Sequence, residues 1–285
     1  MPFELVALSP AVFFALSSTM TRRGLDGSTP HTASLVVLIM QLVFFSSCLV
    51  AVDFSRISVS VYWLAFLAAG ISSPALSLLF LFRSIQRIGV ASTSPIANIH
   101  PIFGAFWAFL VLGERPPGVV WLGILVVAGG VYFMSSGGNP LARGRALLLP
   151  LTSAAFFGLA HTFRKVGLGG MESLVFGGFL QSVSACALGP LFLKASTGWR
   201  PFVFNKASLG SFVLAGLAMA AAQLTLMAAL SMGDVSRVSP LVATAPLFVL
   251  ALAPLILGRR ERITPRIVFG ALITVAGVIL VTSLR

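Results

Sequence analysis

The sequence predicts an all-α membrane protein with ten transmembrane helices, arranged as two inverted five-helix repeats around a central cavity. Three observations support this prediction. Of the 285 residues, 58% are hydrophobic and only 9% are charged, whereas a soluble domain is typically about 25% charged. The hydrophobic residues form ten apolar runs near the length of about 20 residues that a membrane helix needs. One segment, in which prolines lie inside an apolar run and a charged turn follows, occurs twice.

Charged turns divide the first half of the chain into five predicted spans. Arg22 and Arg23 end the first span, Asp53 ends the second, and Arg83 ends the third. The turn around Glu114 separates the fourth span from the fifth. The predicted spans are residues 3–21, 32–52, 59–82, 90–112 and 118–135.

The second half repeats this scheme after a Gly-Gly-Asn-Pro turn at residues 137–140. The two repeats are therefore expected to be residues 1–138 and 145–285. Each repeat contains an odd number of spans, so the two must cross the membrane in opposite directions, an inverted arrangement typical of secondary transporters. The predicted spans of the second half are residues 146–163, 173–193, 207–232, 236–257 and 267–283.

The duplicated segment covers residues 89–136 and 234–283. Its two copies align at one constant offset as far as the charged turn, after which the second copy has a two-residue insertion. Small residues also recur at a spacing of four, which lets helices approach closely in a membrane. The aligned positions include Ser94, Pro95 and Pro101, which match Ser239, Pro240 and Pro246. The small pairs include Gly104 with Ala108 and Ala154 with Gly158.

The order of these motifs resembles the EamA domain of the drug/metabolite transporter superfamily. The motifs are Ser-Pro-x5-Pro at 94–101, Leu-Gly-Glu-Arg at 112–115 and a glycine-containing apolar run at 122–130. They recur in modified form in the second half, where Gly-Arg-Arg-Glu-Arg stands in place of Gly-Glu-Arg. The resemblance covers the whole chain as two EamA units and implies ten helices in inverted halves around a cavity. It also implies transport of small solutes, such as amino acids, other metabolites and, in plastid relatives, phosphorylated sugars.

Four prolines lie inside the predicted fourth and ninth spans. A proline inside a helix removes one backbone N–H and leaves the carbonyl four residues earlier without its partner. Paired prolines in equivalent spans of a transporter indicate a hinge or a solute site. We therefore predict a hinge at Pro95, Pro101, Pro240 and Pro246. The alternative is a kink that serves packing only.

Polar residues interrupt the fourth span beside these prolines. Ser94 and Asn98 share one helical face with Pro101, whereas His100 lies on another. Polar groups within a bilayer generally face the interior of the helix bundle, so Ser94, Asn98 and His100 are predicted to bind the solute. Trp107 is predicted to form a wall of the same pocket. The alternatives are hydrogen bonds between helices for the polar residues and lipid contact for the aromatic ones.

Amide and basic side chains add candidates in other spans. Gln41 and Gln181 occupy equivalent spans, and an amide offers both a donor and an acceptor to an amino-acid-like solute. His161 and Lys165 lie one helical turn apart near the end of the sixth span, with Arg164 between them. In the phosphate-carrying relatives, basic residues on helices bind the anionic group, which implies a solute-binding role here. The alternatives are interhelical bonds for the amides and extension to the lipid headgroups for the basic side chains.

The distribution of charge excludes several other functions. All seven carboxylates lie at span ends or turns, so a carboxylate proton relay, common in pumps, is not predicted. Glu114 with Arg115 is expected to tie its turn to the membrane surface.

Cys48 and Cys186 are isolated, so neither a metal nor a cofactor is predicted. The 19 Lys and Arg residues are scattered between the spans, which indicates membrane anchoring rather than nucleic-acid binding.

These observations predict a monomeric, multi-pass transporter of the inner (plasma) membrane that works by alternating access. Amino acids or related metabolites, exported or exchanged, are the predicted solutes. An exchanger of phosphorylated or other anionic metabolites, using basic residues of the first and sixth spans, is the alternative. A membrane-embedded transferase is disfavoured because the three histidines lack HExxH or HxxxD spacing. A non-transporting sensor with the same fold is a further alternative.

Overall fold

The computed structural model describes residues 3–53, 60–88, 96–135, 147–171, 173–197, 202–257 and 265–282, and these residues form helices and no strand. The first half contains α1 (Phe3–Leu25), α2 (Pro30–Cys48), a 3₁₀ turn (Leu49–Ala51), α3 (Tyr62–Gly70), a π-helical turn (Ile71–Leu76), α4 (Ser77–Ile88), α5 (His100–Leu112) and α6 (Gly118–Ser135). The second half contains α7 (Leu148–Leu168), α8 (Leu174–Thr197), α9 (Lys206–Met232), α10 (Val235–Val242), α11 (Ala245–Leu257) and α12 (Pro265–Thr282).

Within the described residues, six helical segments are long and apolar enough to cross a membrane. This confirms the prediction of a helical membrane protein. The six are Phe3–Leu25, Pro30–Ala51, Tyr62–Leu81, Leu174–Phe192, Lys206–Met232 and Val235–Ile256. Three shorter apolar helices are His100–Leu112, Gly118–Phe133 and Val268–Val281.

Local sequence signals set several helix ends. Thr29 caps α2, because its side chain accepts a hydrogen bond from the Thr32 backbone N–H at 3.4 Å, and Pro30 fills the first turn where no amide partner is needed. Asn205 caps α9 in the same way through the Ala207 N–H at 3.1 Å. At the C-terminal end of α5, Gly113 adopts a left-handed φ of 68°, which glycine accepts without steric penalty.

The predicted fourth and ninth spans are both broken next to a proline. Helix α5 begins at His100 with Pro101 in its first turn, and α11 begins at Ala245 immediately before Pro246. The two breaks have the same hydrogen-bond pattern at the offset of the repeat. The Ile99 and Ile102 amides donate to the Ile96 and Ile99 carbonyls at 3.2 and 3.0 Å, and the Thr244 and Leu247 amides donate to the Leu241 and Thr244 carbonyls at 3.2 and 2.8 Å.

The third predicted span is also interrupted, which the sequence analysis does not anticipate. Between α3 and α4 the backbone of Ser73 is extended, with φ −149° and ψ 125°, and Pro74 follows it. The Ser77 hydroxyl donates to the Ser73 hydroxyl at 3.1 Å, and Ser153 of α7 donates to the Ser77 carbonyl at 2.8 Å. Serine hydroxyls therefore bind polar groups next to the break.

The two halves of the chain interleave. The principal packing partner of α1 is α9, that of α6 is α12, and α7 packs against α3, α4 and α5. Gly158, from one of the predicted small-residue pairs, lies at one of these crossings, because a Cβ added to it would stand 2.9 and 3.0 Å from the Phe103 and His100 backbones of α5. Neither half is a separate packing unit, since the contacts that bury most helices come from the other half.

Candidate functional site

Three helices bring polar side chains together at the centre of the bundle. Helix α5 supplies His100, α7 supplies His161, and α10 supplies Ser239, and all three are buried. The Nδ1 atom of His161 lies 2.8 Å from the Ser239 hydroxyl oxygen, and the two imidazole rings lie 5.7 Å apart between centroids. The site therefore joins the first repeat, through His100, to the second repeat, through His161 and Ser239.

Phe157 of α7 packs against both histidines. Its ring centroid lies 4.7 Å from that of His100 and 5.5 Å from that of His161. The close approach of α5 to α7 allows this arrangement, because Gly158 has no side chain and lies against the α5 backbone, whereas Gly104 leaves room for Ser239 of α10. The result is a small aromatic and imidazole cluster in which each ring contacts the other two.

Several buried polar atoms of the described chain have no hydrogen-bond partner within it. Buried polar atoms in proteins nearly always have a partner, so such atoms mark positions where water or a bound solute supplies the missing bond. The group includes two ring nitrogens of the histidine cluster. Its members are Ser17 Oγ, Trp63 Nε1, His100 Nδ1, His161 Nε2, Thr162 Oγ1 and Gln223 Oε1.

Arg164 is buried on α7, one helical turn beyond His161. Its side chain is 1% exposed, and its Nε–H donates to Oε1 of Gln181 on α8 at 2.7 Å. Helix α7 continues to Leu168, beyond the predicted end of the sixth span at residue 163. This extension places Arg164 inside the bundle. It is therefore not in contact with the lipid headgroups, which was the alternative considered for the basic side chains of this span.

Lys165 is placed differently from its neighbour. Its ammonium donates to the carbonyls of Leu230 and Gly233 at 2.6 and 2.8 Å. These carbonyls belong to the C-terminal end of α9, where cations are stabilised by the helix dipole. The predicted role of Lys165 in solute binding therefore competes with this capping contact.

Glu114 makes a contact that the sequence analysis does not anticipate. Its two carboxylate oxygens accept hydrogen bonds from the Val235 and Ser236 backbone amides at 2.8 and 3.0 Å. A carboxylate at a helix N-terminus satisfies free N–H groups and complements the dipole. The Leu-Gly-Glu-Arg motif thus forms a contact between repeats: Glu114, in the turn after α5 of the first repeat, caps α10 of the second.

The other predicted site residues lie around this centre or apart from it. Asn98 is half-buried in the turn before α5, and Trp107 donates from Nε1 to the Ala155 carbonyl of α7 at 3.1 Å. Gln41 is buried on α2, where its amide donates to the Val37 carbonyl at 3.5 Å. Pro240 is buried within α10. Ser94 and Pro95 lie outside the described residues.

Ser239 is not among the site residues predicted from the sequence, and Arg164 is considered there only as one of the basic residues of the sixth span. Ser239 is the repeat counterpart of the predicted residue Ser94, so applying the internal symmetry to every predicted site residue would have found it. Arg164 carries the general signal of an ionisable residue in an apolar segment, but its position near the end of the run concealed its burial.

A family comparison matches the chain twice. The model of the EamA-like transporter family matches residues 1–136 and again residues 144–283. Among solved structures, 29 chains match. One of them, titled only "Crystal structure of protein", has a TM-score of 0.81 and 14% sequence identity, and the match covers 99% of this chain and 96% of that one. This likeness shows the fold alone.

No curated protein matches the sequence. The two family matches cover nearly the whole chain, and the resemblance drawn from the motifs is confirmed. The proteins of this family are multi-pass membrane transporters of small solutes rather than enzymes. The chain belongs to the EamA-like transporter family of the drug/metabolite transporter superfamily.

Proposed function

We propose that the protein is a secondary transporter of the inner membrane that moves amino acids or related metabolites, by export or exchange, through alternating access. In this proposal ten helices form two inverted five-helix repeats, residues 1–138 and 145–285. The solute lies at the interface of the repeats, among the first, third, fourth, sixth, eighth and ninth spans. The protein acts as a monomer, since one chain contains both halves.

One observation carries the proposal: His100 of the first repeat meets His161 and Ser239 of the second, with two buried ring nitrogens unpartnered among the described residues. In inverted-repeat transporters the solute site lies near the bilayer midplane at the repeat interface. Unpartnered polar atoms at such an interface are available to a solute. Asn98, next to this cluster in the chain, is assigned to the same site.

The matched helix breaks support the hinge. Pro101 and Pro246 each lie at the start of a helix, with the same backbone hydrogen bonds around them at the offset of the repeat. Irregular backbone at membrane depth is tolerated where it is buried or lines a water-filled path. Two equivalent breaks allow the two repeats to exchange conformations, as alternating access requires.

The buried guanidinium of Arg164 can pair with any anionic group, so exchange of phosphorylated or other anionic metabolites is the second candidate function. It differs from the first proposal in the charge of the solute rather than in the mechanism. The two are separated by the same experiment, because the solute panel contains both classes.

The test is counterflow in proteoliposomes. Vesicles are loaded with unlabelled amino acids, organic acids or sugar phosphates at two pH gradients, and uptake of the labelled solute is compared with protein-free vesicles. We expect saturable counterflow of one class, reduced in Asn98→Ala, without a requirement for a pH gradient. Protein that remains folded but carries no class of solute would contradict the proposal and favour a sensor.

A further inference from the structure

Among the buried residues of the described chain, Arg164 is the only Arg, Lys, Asp or Glu. We propose that Arg164 binds the carboxylate of the transported solute, so that the transporter selects solutes with a single carboxylate, zwitterionic amino acids included, over amides and phosphate esters. This inference rests on the proposed transport function and names its solute class.

The guanidinium has donors to offer a solute. An arginine carries five N–H groups and stays protonated in proteins. Among the described residues, Arg164 makes one hydrogen bond, from Nε to Gln181. The two terminal nitrogens, with four N–H groups, are left for a ligand. A planar carboxylate matches this fork with two parallel hydrogen bonds.

The buried position requires an anion. A charge in the bilayer interior is expensive unless it is paired or faces a polar path, and the neighbouring residue Gln181 is neutral. The hydrogen bond to Gln181, itself 2% exposed, fixes the orientation of the guanidinium without neutralising it. Gln181 is therefore a positioning residue. Because no Asp or Glu is buried among the described residues, the solute balances the charge of Arg164 in this proposal.

The number of positive charges at the site favours a solute with one singly charged anionic group. Lys165, the next residue, directs its ammonium to the carbonyls of Leu230 and Gly233, so it adds no free cation beside Arg164. A carboxylate balances one guanidinium, whereas a phosphate ester, close to a dianion near neutral pH, would leave a buried negative charge. The structure thus favours a carboxylate over the phosphorylated metabolites of the alternative function.

The same helix offers a second group to the solute. His161 lies three residues before Arg164, and residues at this spacing are neighbours on a helix surface. Its Nδ1 contacts Ser239, while its Nε2 is buried without a partner among the described residues. In the proposal, Nε2 binds a polar group of the solute beside its carboxylate.

The decisive variant is Gln181→Glu. The new carboxylate would lie beside the Nε of Arg164 and take the place of the solute's own charge, while the site keeps its volume. Arg164→Gln removes the guanidinium, and Arg164→Lys keeps the charge but loses the fork. Arg115→Gln, at an exposed position in the turn after α5, removes a positive charge elsewhere and is the matched control.

The probes are L-leucine, L-phenylalanine and L-threonine, the amide of each, and glycerol 3-phosphate. Counterflow and thermal stabilisation of the detergent-solubilised protein are both measured. We expect at least one acid, but none of the amides, to be carried by the wild type and by Arg115→Gln. Gln181→Glu and Arg164→Gln should lose about tenfold or more of this flux, and Arg164→Lys an intermediate amount, because a bidentate charged pair is replaced.

Three results would overturn the assignment of Arg164: preference of the wild type for amides, transport of glycerol 3-phosphate alone, or undiminished flux of acids in Gln181→Glu. A folding failure of Arg164→Gln does not decide the matter, because Gln181→Glu supplies a balanced buried pair. The proposed transport function fails separately, if no probe gives counterflow. In that case stabilisation by an amino acid that is lost in Gln181→Glu supports the Arg164 site, and its absence overturns it.

Discussion

The crossing of α6 with α12 and the crossing of α5 with α7 are packed in the same way but carry different side chains. At the first, a Cβ added to Gly277 would stand 2.6 Å from the Val127 amide and 3.0 Å from the Gly123 carbonyl. The residues around it are apolar except for Thr274, whose hydroxyl bonds within its own helix, and the outer faces expose large apolar residues such as Leu125 and Leu272. At the second crossing, Gly158 lies against the backbone of Phe103, Gly104 and His100, and the rings of His100, Phe157 and His161 pack together beside it.

The two crossings share their glycine contacts but differ in their polar groups. Both crossings depend on glycine to bring two backbones together across the repeats, as is common in membranes. Only the α5–α7 crossing adds buried polar atoms without partners in the described chain. Close packing of two helices therefore does not by itself identify the site. The unpartnered polar groups at the α5–α7 crossing identify it.

The largest expected loss of stability comes from adding a side chain at either crossing. Gly158→Val and Gly277→Val should each destabilise the protein by about 3 kcal/mol, because overpacking at a backbone contact forces the helices apart. The measurement is the melting temperature and the monodisperse fraction in detergent. Gly210→Val is the control, because nothing lies within 4 Å of the Cβ that it adds. Equal melting temperatures for all three variants would contradict the role of these contacts.

The second prediction separates the crossings by activity. His161→Ala should abolish most counterflow, because it removes the contact to Ser239 and the unpartnered Nε2. Its melting temperature should fall moderately, by the equivalent of about 1–2 kcal/mol. Thr274→Ala is the matched variant of α12, where the hydroxyl donates to the Gly270 carbonyl of its own helix at 2.8 Å. We expect it to keep its counterflow, and comparable loss of flux in both variants would remove the distinction.

The third prediction concerns the contact between repeats at the edge of the site. Glu114→Gln should destabilise the protein by about 1 kcal/mol, because the carboxylate that caps α10 loses its charge. Amide hydrogen exchange at Val235 and Ser236 should become faster, which reports the cap itself. Arg115→Gln, which changes an exposed neighbour, should leave both measurements unchanged.

The sequence predicts best what depends on local chemistry. Pro101 and Pro246 begin helices because proline lacks the N–H that an interior position needs, and the repeat offset makes the two breaks equivalent. Arg164 and Lys165 are adjacent, yet one is buried beside Gln181 and the other caps α9. Periodicity does not separate them, because their fates depend on how far α7 extends and on which helices pack against it. The Glu114 contact spans 121 residues of sequence, which no local pattern indicates.

Substitution of the prolines at the helix breaks has the smallest expected effect on stability. It tests whether these breaks move during transport or only serve packing. Pro246→Ala restores an amide at the start of α11, where the first-turn N–H has no required helical partner, so the free energy of unfolding should change by less than about 1 kcal/mol. If the break is a hinge, the restored amide can bond to the Val242 carbonyl and join α10 to α11. Counterflow should then slow while solute-dependent thermal stabilisation persists.

Pro101→Ala should act similarly, because the hydrogen bonds around the two breaks are equivalent. Pro254→Ala is the control, since this proline lies within the same helix α11 but away from the break. Slower amide exchange at residues 243–247 in Pro246→Ala would report the joined helix. A joined helix with normal counterflow would assign the break to packing. Slower counterflow in both Pro101→Ala and Pro246→Ala, with Pro254→Ala unaffected, would instead assign the movement to the two helix breaks. The α6–α12 pair would then be the static part of the comparison, since its described helices have no proline beyond the first residue of α12.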